Sequence, residues 1–73
     1  MSKLPQISSR ECIAALQRTG LRIVRQKGSH IVLHRDNPFA QTVVPERKIM
    51  GKGLLRAIIR QAGLSVDEFL KLL

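Results

Sequence analysis

Twice in this chain an aliphatic residue is followed by the pattern Ser-x-x-Glu: Ile7 before Ser8-Ser9-Arg10-Glu11, and Leu64 before Ser65-Val66-Asp67-Glu68. In such a capping box the serine hydroxyl accepts from the glutamate backbone N–H, and the glutamate carboxylate accepts in return from the serine N–H. Amides that open a helix without intrahelical partners are thereby satisfied locally. Each pattern starts a helix, and each carries a hydrophobic staple, Ile7 with Cys12 and Leu64 with Phe69. Cys12, Ile13 and Leu16 continue one apolar face of the first helix, and Gly20 ends it.

Between these anchors the periodicity changes. Residues 21–27 and 29–35 are rich in β-branched side chains and are separated by Gly28, which predicts a hairpin with a tight turn. Alternation along the second strand puts Ile31 and Leu33 toward the core and His30, Val32 and His34 on the opposite face. The breaker-rich Asp36-Asn37-Pro38 leads to a short third strand around Thr42-Val43-Val44, ended by Pro45. After a charged loop over 46–52, a helix from Gly53 carries Leu55, Ile58, Ile59 and Ala62 on one stripe and stops at Gly63. The second capping box then opens a short last helix reaching Leu73. The expected architecture is α+β over residues 1–73 as one domain: a helix, a three-stranded antiparallel sheet, a helix and a short C-terminal helix, with the helices on one sheet face.

A chain of 73 residues buries only about 60% of the surface it exposes when unfolded, so its small core rests on aliphatic packing. No apolar run is long enough to span a bilayer, and Leu4-Pro5-Gln6-Ile7 offers no apolar stretch of the kind a secretory signal needs. The expected compartment is the cytoplasm, and a lone Cys12 fits a reducing one. Charge is the first functional clue. Thirteen Lys and Arg face five Asp and Glu, a net of +8 and a pI near 11.3. Polyanions are the natural partners. Nucleic acid is favoured, although an anionic membrane or an acidic protein satisfies the same arithmetic. Two phenylalanines, with no tyrosine or tryptophan, leave little for single-stranded bases to stack on. Recognition of shape and backbone, as in double-stranded-RNA-binding modules, is the expected mode.

The side chain best suited to phosphate chemistry is His30. Histidine is the residue type whose ordinary range spans neutral pH, and this one lies close to Gly28, where a backbone without Cβ lets a ligand approach closely. It could act as general base or acid while Arg25, Lys27 and nearby amides hold the phosphate. From pattern alone an ordinary exposed strand histidine remains open. His34 shares the predicted face, but four strand residues span about 13 Å, too far for joint action at one phosphorus or one metal ion; a surface residue touching the RNA backbone is the expectation. Ser29 can hydrogen-bond a phosphate or cap the turn, but the few acids assemble no Asp-His-Ser triad. Cys12 reads as a buried inert thiol. Lys52, Arg56 and Arg60 recur every four residues; such a stripe can be a solvated helix face, but the net charge tips it toward contacting RNA phosphates, and RNA binding is the expectation. No metal site or cofactor is expected.

Several segments together resemble the HicA family of toxins: Arg25-Gln26-Lys27-Gly28-Ser29-His30, Val43-Val44-Pro45, Lys52-Gly53-Leu54-Leu55-Arg56, and Arg60-Gln61-Ala62-Gly63-Leu64-Ser65 closing into Val66-Asp67-Glu68-Phe69. The resemblance runs in order over nearly the whole chain. It implies a double-stranded-RNA-binding-domain-like fold and the toxin role in a type II toxin–antitoxin system. It further implies metal-independent endoribonuclease cleavage of mRNA that inhibits translation, and neutralisation by a HicB-type antitoxin. By match to the family motif His30 is the catalytic histidine, with Gly28 shaping the turn and Ser29 as a supporting polar group. Two positions depart from the family pattern: Arg47, near which members often carry a histidine, and Leu54, where they carry a threonine. A non-catalytic RNA-binding module using the same basic surface is the alternative.

Overall fold

The computed structural model describes residues 3–73, so the first two residues of the expected 1–73 domain lie outside the described chain. Helix α1 (Ser9–Gln17) is followed by strands β1 (Arg22–Lys27), β2 (His30–Asp36) and β3 (Phe39–Pro45), then helix α2 (Lys52–Gln61) and a short helix α3 (Val66–Leu70). The three strands form one antiparallel sheet in the order β1-β2-β3. The α+β order read from the sequence is thus the order observed.

Both helix starts are built as their sequences dictate. At α1 the Glu11 N–H donates to Ser8 Oγ at 3.2 Å and the Ser8 N–H to Glu11 Oε1 at 3.0 Å. At α3 the Glu68 N–H donates to Ser65 Oγ at 3.1 Å and the Ser65 N–H to Glu68 Oε1 at 2.8 Å. Hydrogen bonding from Ser65, its backbone N–H first and its hydroxyl second, holds the Glu68 carboxyl below its ordinary range. By contrast, α2 starts one residue before Gly53, on a Gly51 cap with no side-chain bond, and α3 ends at Leu70 in a turn rather than running to Leu73.

The third strand is longer than its β-branched run. Asp36 pairs directly with Phe39, so Asn37 and Pro38, joined by a cis peptide bond, are the whole connection between β2 and β3. A two-residue turn leaves both flanking residues in the ladder, and β3 therefore begins at Phe39 rather than near Thr42.

Directly paired residues of an antiparallel sheet point to the same face, so the register sorts the side chains. One face carries Ile23 and Gln26 of β1, Ile31 and Leu33 of β2, and Thr42 and Val44 of β3. This face meets the helices: Leu33 and Val44 are fully buried with Leu16, Leu55, Ile58, Ile59 and Phe69. Each such aliphatic side chain contributes roughly 1.5–3 kcal/mol by area removed from water. Two polar groups lock the layers. Thr42 donates its hydroxyl to Gln61 Oε1 of α2 at 2.6 Å. Arg35 donates to the carbonyls of Pro38 and Thr19, both at 2.8 Å, and of Ala62 at 3.5 Å, tying the ends of α1 and α2 to the sheet.

The helices lie over the β3 side of the sheet, and all six residues of β1 are exposed. Val32 is the exception on the opposite, open face. It is only 8% exposed, because Arg25 and Val43 flank it across the two ladders. The molecule is a thin slab, 33 × 27 × 16 Å in Cα extent. Among the described residues no helix is long and apolar enough to cross a membrane.

Candidate functional site

The open face of the sheet gathers most of the side chains singled out from sequence. His30 opens β2 and pairs with Lys27 on one side and Pro45 on the other, all three on this face. The connection from β1 is the two-residue turn Gly28-Ser29. Gly28 has φ +59° and Ser29 a negative φ, the combination of a type II′ turn, whose first central residue is almost always glycine. Gln26 Nε2 donates to the Gly28 carbonyl at 3.2 Å, and the Glu46 N–H donates to the Ser29 carbonyl at 2.7 Å, fixing the turn against the chain leaving β3. Beyond it, Ser9 and Arg47 exchange hydrogen bonds through the Ser9 hydroxyl, the Arg47 N–H and the Arg47 carbonyl. The Arg47 side chain, one of the two departures from the family pattern, is exposed at the same end of the sheet as His30.

Arg25 reaches this face only because β1 is irregular. The ladder skips Val24: Ile23 pairs with Leu33 and Arg25 with Val32, so one residue is bulged out. Side chains alternate with period two, and an extra residue shifts every later one to the other face. Arg22, at one end of the strand, and Arg25 and Lys27, at the other, therefore all point to the open face. In a regular strand Arg22 would oppose them. Three cations line the same surface as His30.

His34, also on this face, is in a different state. Its Nε2 lies 2.7 Å from Asp36 Oδ1 and its Nδ1 2.9 Å from Gln41 Oε1. Two acceptor oxygens at two ring nitrogens suit the imidazolium, and the hydrogen bond to Asp36, with that to Gln41, raises the His34 pKa above its ordinary value. The same bond, with a 3.3 Å ion pair from Arg22, lowers that of Asp36. The His30 imidazole has no such partner among the described residues and keeps both nitrogens available to a ligand.

The remaining sequence candidates sort cleanly. Ser29 is exposed in the turn. Lys52, Arg56 and Arg60 are exposed on α2, in the helix layer and not on the open face, so the structure separates them from His30, Arg25 and Lys27. Cys12 is fully buried and burial pushes its thiol up to about 11, leaving little thiolate at neutral pH. Among the described residues no three His, Cys, Asp or Glu side chains gather as a metal site would require. A groove of about 390 Å³ lies between α1 and the inner side of β1, lined by Arg10, Ile13, Ile23 and Gln26, away from His30. Sequence reading did not find Arg22, Asp36, Phe39 or Gln41 as members of the open face. The bulge hides the first, and the unrecognised two-residue turn hides the register of the others.

A family model described as HicA toxin of bacterial toxin-antitoxin matches residues 9–64, from the start of α1 past the end of α2 and well over half of the chain. No curated protein matches the chain significantly. The elements that build the open face all fall within the matched span, and the chain belongs to the HicA toxin family of bacterial toxin–antitoxin systems, a family of known mRNA interferases.

Proposed function

We propose that this toxin cleaves mRNA on the open sheet face, with His30 as the general acid or base at one phosphodiester and Arg25 and Lys27 holding the phosphate. The observation that carries the reading is the pairing of Lys27 with His30 and of Arg25 with Val32, which sets an unpartnered imidazole beside two cations on one exposed surface. A histidine with both nitrogens free can take a proton from an attacking hydroxyl or give one to the leaving oxygen, and neighbouring cations stabilise the charge that builds on the phosphoryl oxygens. His34 is unsuited to that task, because both of its nitrogens are committed to Asp36 and Gln41. Gly28 and Ser29 serve by shape, presenting His30 at the end of a tight turn. In this reading the proton transfers are carried by His30 and the charge by Arg25 and Lys27, without a metal ion. A HicB-type antitoxin would silence the toxin by covering the same face.

His30→Ala should abolish cleavage of RNA by the purified protein, and growth arrest on induction, with an unchanged circular dichroism spectrum because the side chain is exposed. Cleavage at the wild-type rate would remove His30 from the mechanism, and activity lost in EDTA and restored by magnesium would overturn the metal-free part. The product ends report the nucleophile. Attack by the ribose 2′-hydroxyl breaks the P–O5′ bond and leaves a 2′,3′-cyclic phosphate and a 5′-hydroxyl, whereas water leaves a phosphomonoester. A protein that shifts RNA without shortening it would instead be a binding module.

A further inference from the structure

At the end of the open face away from His30 stands Phe39, 72% exposed, the most exposed of the large hydrophobic residues. Its surroundings are not apolar. Asp36 pairs with it across the ladder, and His34 meets it edge-on, ring centroids 5.4 Å apart and planes at 75°. Such a contact holds the Phe39 ring by its neighbour's side and leaves ring surface open. Gln41, two residues along β3 on the same face, uses its Oε1 on His34 and keeps its amide N–H groups without a partner among the described residues. Arg22 faces the same way. Asp36 has Oδ1 turned to His34 and Oδ2 to Arg22, so its charge is paired on this face.

We infer that Phe39 is the stacking platform of a nucleobase subsite for single-stranded RNA, with Gln41 and Arg22 as donors to the base edge and the sugar-phosphate chain. This rests on the reading of His30 above and extends it along the sheet. An exposed aromatic ring beside an imidazole, a guanidinium and a free amide has the composition of a base-binding surface. Charge points the same way, since Arg22, Arg25 and Lys27 run along the face between its two ends. From His30 to the Asp36–Phe39 pair is six residues of β2, about 20 Å at roughly 3.3 Å per residue. A strand lying along β2 would be cut at one end and gripped by a base at the other, so the substrate has to be single-stranded at Phe39 and longer than the two nucleotides flanking the cut.

The test compares the wild type, Phe39→Ala and Phe39→Trp on three probes: a dinucleotide, a single-stranded oligoadenylate long enough to span both ends of the face, and the same oligoadenylate paired in a duplex. Phe39→Ala should raise KM for the single-stranded oligomer roughly 5- to 100-fold, the range that alanine substitution of a base-stacking aromatic produces. It should leave kcat, the dinucleotide and the duplex unchanged, and Phe39→Trp should restore KM. Equal KM values for Phe39→Ala and wild type on the single-stranded oligomer, with His30→Ala inactive, would overturn the subsite and leave the catalytic reading intact. Should His30→Ala cleave normally, the catalytic reading falls and the subsite is judged by binding of fluorescent oligoadenylate alone. A loss confined to binding of the antitoxin, with RNA binding unchanged, would assign Phe39 to a protein contact and overturn the subsite.

Discussion

Two histidines four positions apart on one strand face show how far residue type falls short of residue role. His30 follows a turn, exposed and with no hydrogen-bond partner for its ring among the described residues, whereas His34 is clasped between Asp36 and Gln41. The sign of the His34 coupling follows from the shifts. A raised folded-state pKa means the contact stabilises the fold fully below the ordinary histidine value of 6.5 and loses that contribution as pH rises through the raised value. Asp36, lowered from 3.8, contributes above that ordinary value and loses its contribution as pH falls through its own lowered one. The pair is therefore complete between about pH 4 and 6.5. In an NMR titration the His34 ring should titrate above 6.5 in the wild type and fall back toward it in Asp36→Asn; equal midpoints would show that the carboxylate does not hold the ring charged. Alternation alone placed both histidines on one face. The partners of His34 were illegible, because they depend on which β3 residue lies opposite, and that is set by the two-residue turn at Asn37-Pro38. Phe39 was lost for the same reason: two phenylalanines in the composition say nothing about one being buried in the core and the other left bare.

At the scale of elements, the helices were the legible part and β1 the illegible one. Capping boxes bond to residues three apart, so they need no knowledge of the rest of the molecule, and both formed as written. A bulge depends on a partner strand. Val24 prolongs a β-branched run that looks regular, and nothing local announces that it is skipped. Removing it makes a sharp prediction. With Val24 deleted, residues 22, 23, 25, 26 and 27 fall into unbroken register against 34, 33, 32, 31 and 30, so Arg22, Arg25 and Lys27 keep the open face. The deletion variant should fold, melt within a few degrees of the wild type and still cleave RNA. A folded but inactive deletion variant would show that the added twist of the bulge, rather than the facing of the cations, is what RNA requires. Deleting Arg25 instead gives the same register with Val24 in its place opposite Val32, and this variant should fold but cleave more weakly.

Across the whole molecule the excess of positive charge divides between two surfaces on opposite layers of a slab. Salt dependence tells them apart. For single-stranded nucleic acid each phosphate contact contributes about 0.7 to the slope of log affinity against log salt. Arg25→Gln should therefore lower that slope by roughly 0.7 in oligoadenylate binding, while Arg56→Gln on α2 should leave it unchanged; the reverse result would move the RNA to the helix layer. Net charge was legible in the residues but its division was not, since which cations share a surface is decided by packing α2 over β3 and by the bulge in β1. That strand has a further consequence. Uncovered on both sides and paired only with β2, it leaves a row of backbone donors and acceptors on which a second copy could add its own strand. Arg22, Arg25 and Lys27 on each copy would then be brought against their own kind. The cations proposed to hold RNA would thus also keep copies of the protein apart, and shielding them would act on both: as salt rises, the grip on RNA should loosen while the barrier to strand-to-strand self-association falls, a rise in mass by sedimentation accompanying the loss of RNA.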